Sequence, residues 1–180
     1  MTYNDLISQL HSYSRIIVSG PQRSGTTYAA FTLSQDLEYK HIDEQEFGTH
    51  TAEGFLNVLS QENIVVQCPA VSHILDQIQE KNTIVLWIDR DNKDIALSED
   101  RINWHPYWFN VEKDKYRTIY GNEVDQFERN SLMKKYYWNI QKQNLKVDYL
   151  DIPYSILKET KGFISKDQRK DFGVKQIKLY

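Results

Sequence analysis

Two short stretches carry most of the chemistry this sequence offers. The first, Gly20-Pro21-Gln22-Arg23-Ser24-Gly25-Thr26-Thr27, follows the apolar run Ile16-Ile17-Val18 and precedes a segment of helical spacing. A strand, a turn of small residues and a helix start together make an anion site. The turn's N–H groups converge, and the helix N-terminus adds partial positive charge. Gly20 and Gly25 allow the close backbone approach that side chains would block. Arg23 brings a permanent charge, and Ser24, Thr26 and Thr27 bring hydroxyls. The glycine spacing fits the phosphate loop G-x-x-x-x-G-K-[ST], except that Thr26 stands in the lysine position. Without that lysine, ordinary nucleoside triphosphate chemistry is disfavoured. The second stretch is Trp87-Ile88-Asp89-Arg90, with Ser98 eight positions beyond Arg90. An arginine fork at a strand end is suited to phosphate oxygens, and a surface ion pair of Arg90 with Asp91 or Asp94 is the plainer alternative.

Residues of this kind need elements to place them, and the hydrophobic pattern supplies an alternation. Helical spacing covers 4–12, 26–37, 51–60, 71–79 and 123–144; apolar strand runs cover 15–19, 39–42, 63–67, 83–89 and 146–150. Helical segments close the chain. Strands apolar almost throughout are buried on both faces, as in parallel sheets covered by helices. The expected fold is a doubly wound, mainly parallel α/β sheet with helices on both faces, like that of phosphate-loop NTPases. Ligands in such folds sit beyond the carboxyl ends of the strands, where both stretches fall.

The chain has 180 residues, which predicts a single domain over 1–180. Its formal net charge of -3 gives no general attraction to nucleic acid or an anionic membrane, so a basic site must be local. The lone Cys68 excludes an internal disulfide framework and suits a reducing compartment. The run 84–88 is far short of the ~20 residues a membrane span needs, and the N-terminus lacks the pattern of a signal peptide. A soluble, cytoplasmic protein is expected. Scattered histidines and one cysteine form no metal-ligand pattern, so no metal is expected.

Arg23-Ser24-Gly25-Thr26-Thr27 after Pro21, with Gln22 as an extra residue, resembles the 5′-phosphosulfate loop of sulfotransferases that use 3′-phosphoadenosine 5′-phosphosulfate (PAPS). Arg90 and Ser98 match the spacing of that family's 3′-phosphate pair, and Arg90-Asp91 with Asp94-Ile95 echoes its surroundings. The stretch from Val147 to Pro153 is similar to its late strand. The specific motifs cover about thirty residues of the chain, and are nearest to those of tyrosylprotein and carbohydrate sulfotransferases. The resemblance implies transfer of a sulfuryl group from PAPS to a hydroxyl acceptor, with Gly20, Arg23, Ser24, Gly25, Thr26, Thr27, Arg90 and Ser98 holding the donor. It expects two anion sites separated by a nucleoside. It also places an aromatic near the adenine, where Tyr28 either stacks or packs in the core.

Sulfuryl transfer needs a base for the acceptor's proton. Cytosolic members of the family use a histidine before a proline at the third strand's end, where this chain has Gln67-Cys68-Pro69. Glutamine cannot serve. Tyrosylprotein sulfotransferases use a glutamate whose offset from the loop falls on Glu44, and they also carry arginine in the loop. Glu44 is therefore the expected base and Arg23 the expected catalytic cation, with Asp43 and Glu46 as fallbacks. A solvated acidic loop is the plain alternative, and His41, His50 and His73 are competing bases. Trp104, Tyr107, Trp108 and Phe109 form either an acceptor pocket or a plug over the sheet. Lys134, Lys135, Lys142 and Lys146 read as the solvated face of the long helix, whose Tyr136-Tyr137-Trp138 must in part face the core. Two other functions stay open. One is a kinase of a nucleotide or small metabolite, with Asp89 and Thr26 or Thr27 on Mg²⁺; the other is a non-catalytic nucleotide-binding protein.

Overall fold

The computed structural model describes residues 1–47, 52–100, 130–158 and 160. Its centre is β1 (Arg15–Ser19), whose side chains alternate across the sheet: Ile16 and Val18 enter one core, Ile17 the other. The same division runs through β3 (Ile64–Gln67) and β4 (Thr83–Asp89). Val65, Ile84, Leu86 and Ile88 lie on the first face, and Ile64, Val66, Val85 and Trp87 on the second. Both faces of these strands are buried, each aliphatic side chain stabilising the fold by roughly 1.5–3 kcal/mol. β2 (Lys40–Ile42) and β5 (Asp148–Pro153) flank them, giving the order β2-β3-β1-β4-β5 with every neighbouring pair parallel.

The first face is covered by α1 (Tyr3–Leu10), α2 (Thr26–Asp36) and α6 (Tyr154–Leu157). The second is covered by α3 (Ala52–Val58), a 3-10 segment (Pro69–Gln77) and α5 (Asn130–Gln141). This is the expected doubly wound α/β fold. The chain runs from β1 outward to β2, back to β3 beside β1, and then across to β4 on its other side. The order therefore reverses around β1, and the crevice beyond its carboxyl end is the switch point at which such sheets bind ligands.

Three element expectations change. The helix over 71–79 is a 3-10 segment that begins at Pro69 and is kinked where Val71 leaves helical geometry (φ -105, ψ 21). The last strand runs 148–153 rather than 146–150, because it pairs with β4 from Ile84↔Asp148 to Asp89↔Pro153. At a sheet edge its polar residues face solvent, which hid it from an apolar scan. A helix, α4 (Asn92–Asp100), follows β4 where no helix was expected. Asp91 starts it, its Oδ1 accepting from the N–H groups of Lys93 (2.8 Å) and Asp94 (3.3 Å). His50, the aromatic residues 104–109 and the first part of the expected long helix lie outside the described residues. Among the described residues no helix is long and apolar enough to cross a membrane.

Candidate functional site

The loop between β1 and α2 is shaped by two glycines with left-handed or extended positive φ. Gly20 (φ +149) lies so close to β4 that an added Cβ would meet the Ile88 carbonyl oxygen at 2.8 Å and Ser24 Oγ at 2.9 Å. Gly25 (φ +104) sits under the ring of Tyr154, where a Cβ would come within 2.6 Å of Cε2. Gly25 is also the N-cap of α2 and no side chain caps that helix. The first N–H groups of α2 therefore have no intrahelical partner and no capping oxygen. Ser24 is fully buried, and its Oγ has no hydrogen-bond partner among the described residues. A buried hydroxyl left without a partner beside open helix N–H groups fits an anion seated in the loop.

Arg23 stands between those glycines in the left-handed region (φ 66). That conformation costs a non-glycine residue roughly 1–2 kcal/mol. It is held by a contact from the residue after β4: Arg90 Nη1 donates to the Arg23 carbonyl oxygen at 3.0 Å. The Arg23 side chain in turn reaches α4, its Nε donating to Ser98 Oγ at 3.1 Å. Arg90 stacks over the Tyr154 ring, 4.7 Å from its centroid, and pairs with Asp94 at 3.7 Å. The plainer reading of Arg90, a pair with Asp94, is thus present together with contact to the loop. Arg90 Nε is buried without a hydrogen bond among the described residues. The long Arg23 side chain thus bridges the loop to Ser98 on the helix after β4.

Tyr154 was not singled out from sequence, although it directly follows the late strand. Its signal is positional: β5 ends beside β4, so the residue after Pro153 lies next to Arg90. Tyr28 packs against the first core and its hydroxyl hydrogen-bonds Thr160.

On the other side of β1 the acidic turn after β2 delivers one carboxylate to the strand ends. Asp43 Oδ1 accepts from the Gln45 N–H and Glu46 Oε1 from the Asp43 N–H, so both fallback carboxylates serve the turn itself. Glu44 Oε2 instead accepts from the Ala70 N–H at 3.1 Å. That peptide lies three residues past Gln67, at the carboxyl end of β3. His41 is half-buried and edge-on to Phe31; burial holds its pKa below the ordinary value, against the pull of Asp43 and Glu46. Burial and the nearby Glu44 carboxylate push the Cys68 thiol well up, which keeps it protonated and inert.

Of the four lysines expected on a solvated face, Lys146 is exposed and Lys135 and Lys142 are part-exposed, whereas Lys134 departs from it. Trp138 stacks on Trp87 with centroids 4.6 Å apart and donates from Nε1 to Asp151 Oδ1 at 2.6 Å. Docked this way, the helix buries Lys134 completely, and Lys134 Nζ donates to the Pro69 carbonyl oxygen at 2.6 Å. Lys135 Nζ lies 2.5 Å from Asp89 Oδ1, and Lys142 Nζ lies 3.0 Å from Asp151. Lys134, Tyr137, Trp138 and Gln141 are all buried, at the i, i+3, i+4, i+7 spacing that marks one helix face. That spacing was the available signal.

No family model matches the chain, and no curated protein matches it. Among solved structures it is similar to the YorR protein from Bacillus subtilis, described in complex with phosphorylated GDP. The identity is 16%, covering 79% of this chain and 86% of that one, with a TM-score of 0.47. It is also similar to shikimate kinase from Acinetobacter baumannii, described in complex with shikimate, at 16% identity over 78% of this chain and 99% of that one, with a TM-score of 0.40. At this identity and overlap the likeness concerns the course of the chain and assigns no substrate.

Proposed function

We propose that the chain is a nucleotide-dependent transferase that takes PAPS as donor and passes its sulfuryl group to a hydroxyl acceptor. The observation that carries this reading is the convergence of Arg23, Arg90 and Ser98, residues from two distant motifs, around an uncapped helix start. The loop N–H groups with Ser24, Thr26 and Thr27 bind the 5′-phosphosulfate, and Arg90 and Ser98 bind the 3′-phosphate. The donor supplies an activated sulfuryl group. As the acceptor oxygen bonds to sulfur, the bond from sulfur to the bridging phosphate oxygen breaks, and Glu44 takes the acceptor's proton. The departing product is 3′,5′-adenosine bisphosphate. Arg23 and the loop amides face the charge that grows on the bridging oxygen, where fixed donors lower the barrier most. Two guanidinium groups supply the positive charge, so the reading uses no metal ion.

A kinase of a nucleotide or small metabolite is the second reading. Asp89, at the carboxyl end of β4 and close to the loop, favours it as a metal-binding carboxylate. Thr26 in the lysine position weighs against it, as does Lys135, which already neutralises Asp89.

Thermal shift separates the readings, because stabilisation follows RT ln(1 + [L]/Kd). PAPS and 3′,5′-adenosine bisphosphate are expected to raise Tm without metal, by more than ATP with Mg²⁺ does. A preference for ATP with Mg²⁺ would move the assignment to the kinase. Bisphosphate binding without transfer to any of a broad set of phenols, alcohols and sugars would mark a nucleotide-binding protein without catalysis.

A further inference from the structure

The peptide group joining Pro69 to Ala70 is gripped at both ends by opposite charges. Its carbonyl oxygen accepts from Lys134 Nζ at 2.6 Å, and its N–H donates to Glu44 Oε2 at 3.1 Å. Burial and the Glu44 carboxylate push the neighbouring Cys68 thiol up, and Lys134 pulls it down. The peptide is anchored in turn to the central strand: the Cys68 N–H donates to the Val18 carbonyl at 3.0 Å, and Ser19 Oγ to the Cys68 carbonyl at 3.4 Å. A fully buried lysine is costly unless its charge is used. Here an ammonium polarises the peptide and strengthens the bond its N–H makes to the carboxylate.

We infer that Lys134 is a positioning residue for Glu44. It acts through the 69–70 peptide to hold that carboxylate aimed at the strand ends. The catalytic half of this inference rests on the transferase reading above; the coupling between the two side chains does not. It makes α5 the support of the base, just as β4 and α4 support the donor side.

The test compares Lys134→Met, which keeps side-chain length without charge, with Lys134→Arg, which keeps the charge and donors. The Ala70 amide proton, read by NMR in the full chain, is expected to move upfield in Lys134→Met as its bond to Glu44 weakens, and to stay near its original position in Lys134→Arg. Turnover with PAPS is expected to fall about 10- to 100-fold in kcat in Lys134→Met with KM for PAPS within about twofold, and to recover in Lys134→Arg. Should Lys134→Met fail to fold, Lys134→Gln, which keeps one donor for the Pro69 carbonyl, carries the same comparison with a smaller shift. An unmoved Ala70 amide in the charge-free variant overturns the inference, as does loss of bisphosphate binding there, which would put Lys134 in the donor site. If the unaltered protein shows no turnover with PAPS, the transferase reading fails, and the Ala70 resonance still decides whether Lys134 governs Glu44.

Discussion

Arg23 Nε donates to Ser98 Oγ at 3.1 Å, joining residues 75 positions apart in sequence. The bond ties the phosphate loop to α4, and Arg90 closes the same circuit through the Arg23 carbonyl. The three side chains are therefore joined as one unit, and on the proposed reading that unit holds the donor.

Removing the fork of that unit has a defined cost. A charge-assisted hydrogen bond contributes about 1.5–3 kcal/mol, so Arg90→Ala is expected to weaken 3′,5′-adenosine bisphosphate binding by roughly 10- to 100-fold. Arg90→Lys recovers little, because an ammonium cannot reproduce the planar fork or its stacking on Tyr154. Isothermal titration calorimetry reads both variants.

Glu44→Gln separates binding from chemistry. The amide keeps an acceptor for the Ala70 N–H and cannot take a proton. Bisphosphate affinity is expected to stay within about twofold while sulfuryl transfer falls by at least the ~100-fold typical of a lost general base. Wild-type turnover in this variant would remove Glu44 from the mechanism.

Gly25→Ala tests the geometry of the loop. Its Cβ would meet Tyr154 Cε2 at 2.6 Å on a backbone at φ +104. The expected destabilisation is about 1–3 kcal/mol, measured by chemical denaturation. Adding Tyr154→Ala removes the contact and not the backbone strain, so the double variant recovers only part of it.

The fold was legible where side chains bury on both faces. Arg15–Ser19 and Thr83–Asp89 emerge with the same limits in sequence and structure, because central strands are continuously apolar. The edge strand was displaced because Asp148 and Asp151 face outward. The strand, loop and helix around Gly20 and Gly25 were legible from residue type and spacing, whereas the bond from Arg23 to Ser98 comes from the fold. Lys134 was not: a lysine beside Lys135 reads as solvated, and only the docking of Trp138 on Trp87 shows that its helix face is buried. Tyr154 was missed for a related reason, since its contacts with Gly25 and Arg90 come from three separate segments.

His41 predicts a pH dependence of stability. Its pKa lies below the ordinary 6.5 because burial disfavours the charged ring. The unfolded chain therefore binds the extra proton first as pH falls. The stability linked to this group is whole above about pH 6.5 and declines below it. His41→Phe, which preserves an edge-on ring beside Phe31, is expected to flatten the fall in Tm between about pH 6.5 and 5. An unchanged slope would show that His41 does not titrate with unfolding.

The most direct measurement of the central claim is calorimetric titration of the protein with 3′,5′-adenosine bisphosphate and with 5′-adenylate, in chelator. The account predicts that the bisphosphate binds at least ~10-fold more tightly, through charge-assisted bonds to its 3′-phosphate, and that Arg90→Ala brings the two ligands to the same affinity. Equal affinities in the unaltered protein, or a bisphosphate preference that survives Arg90→Ala, would contradict it.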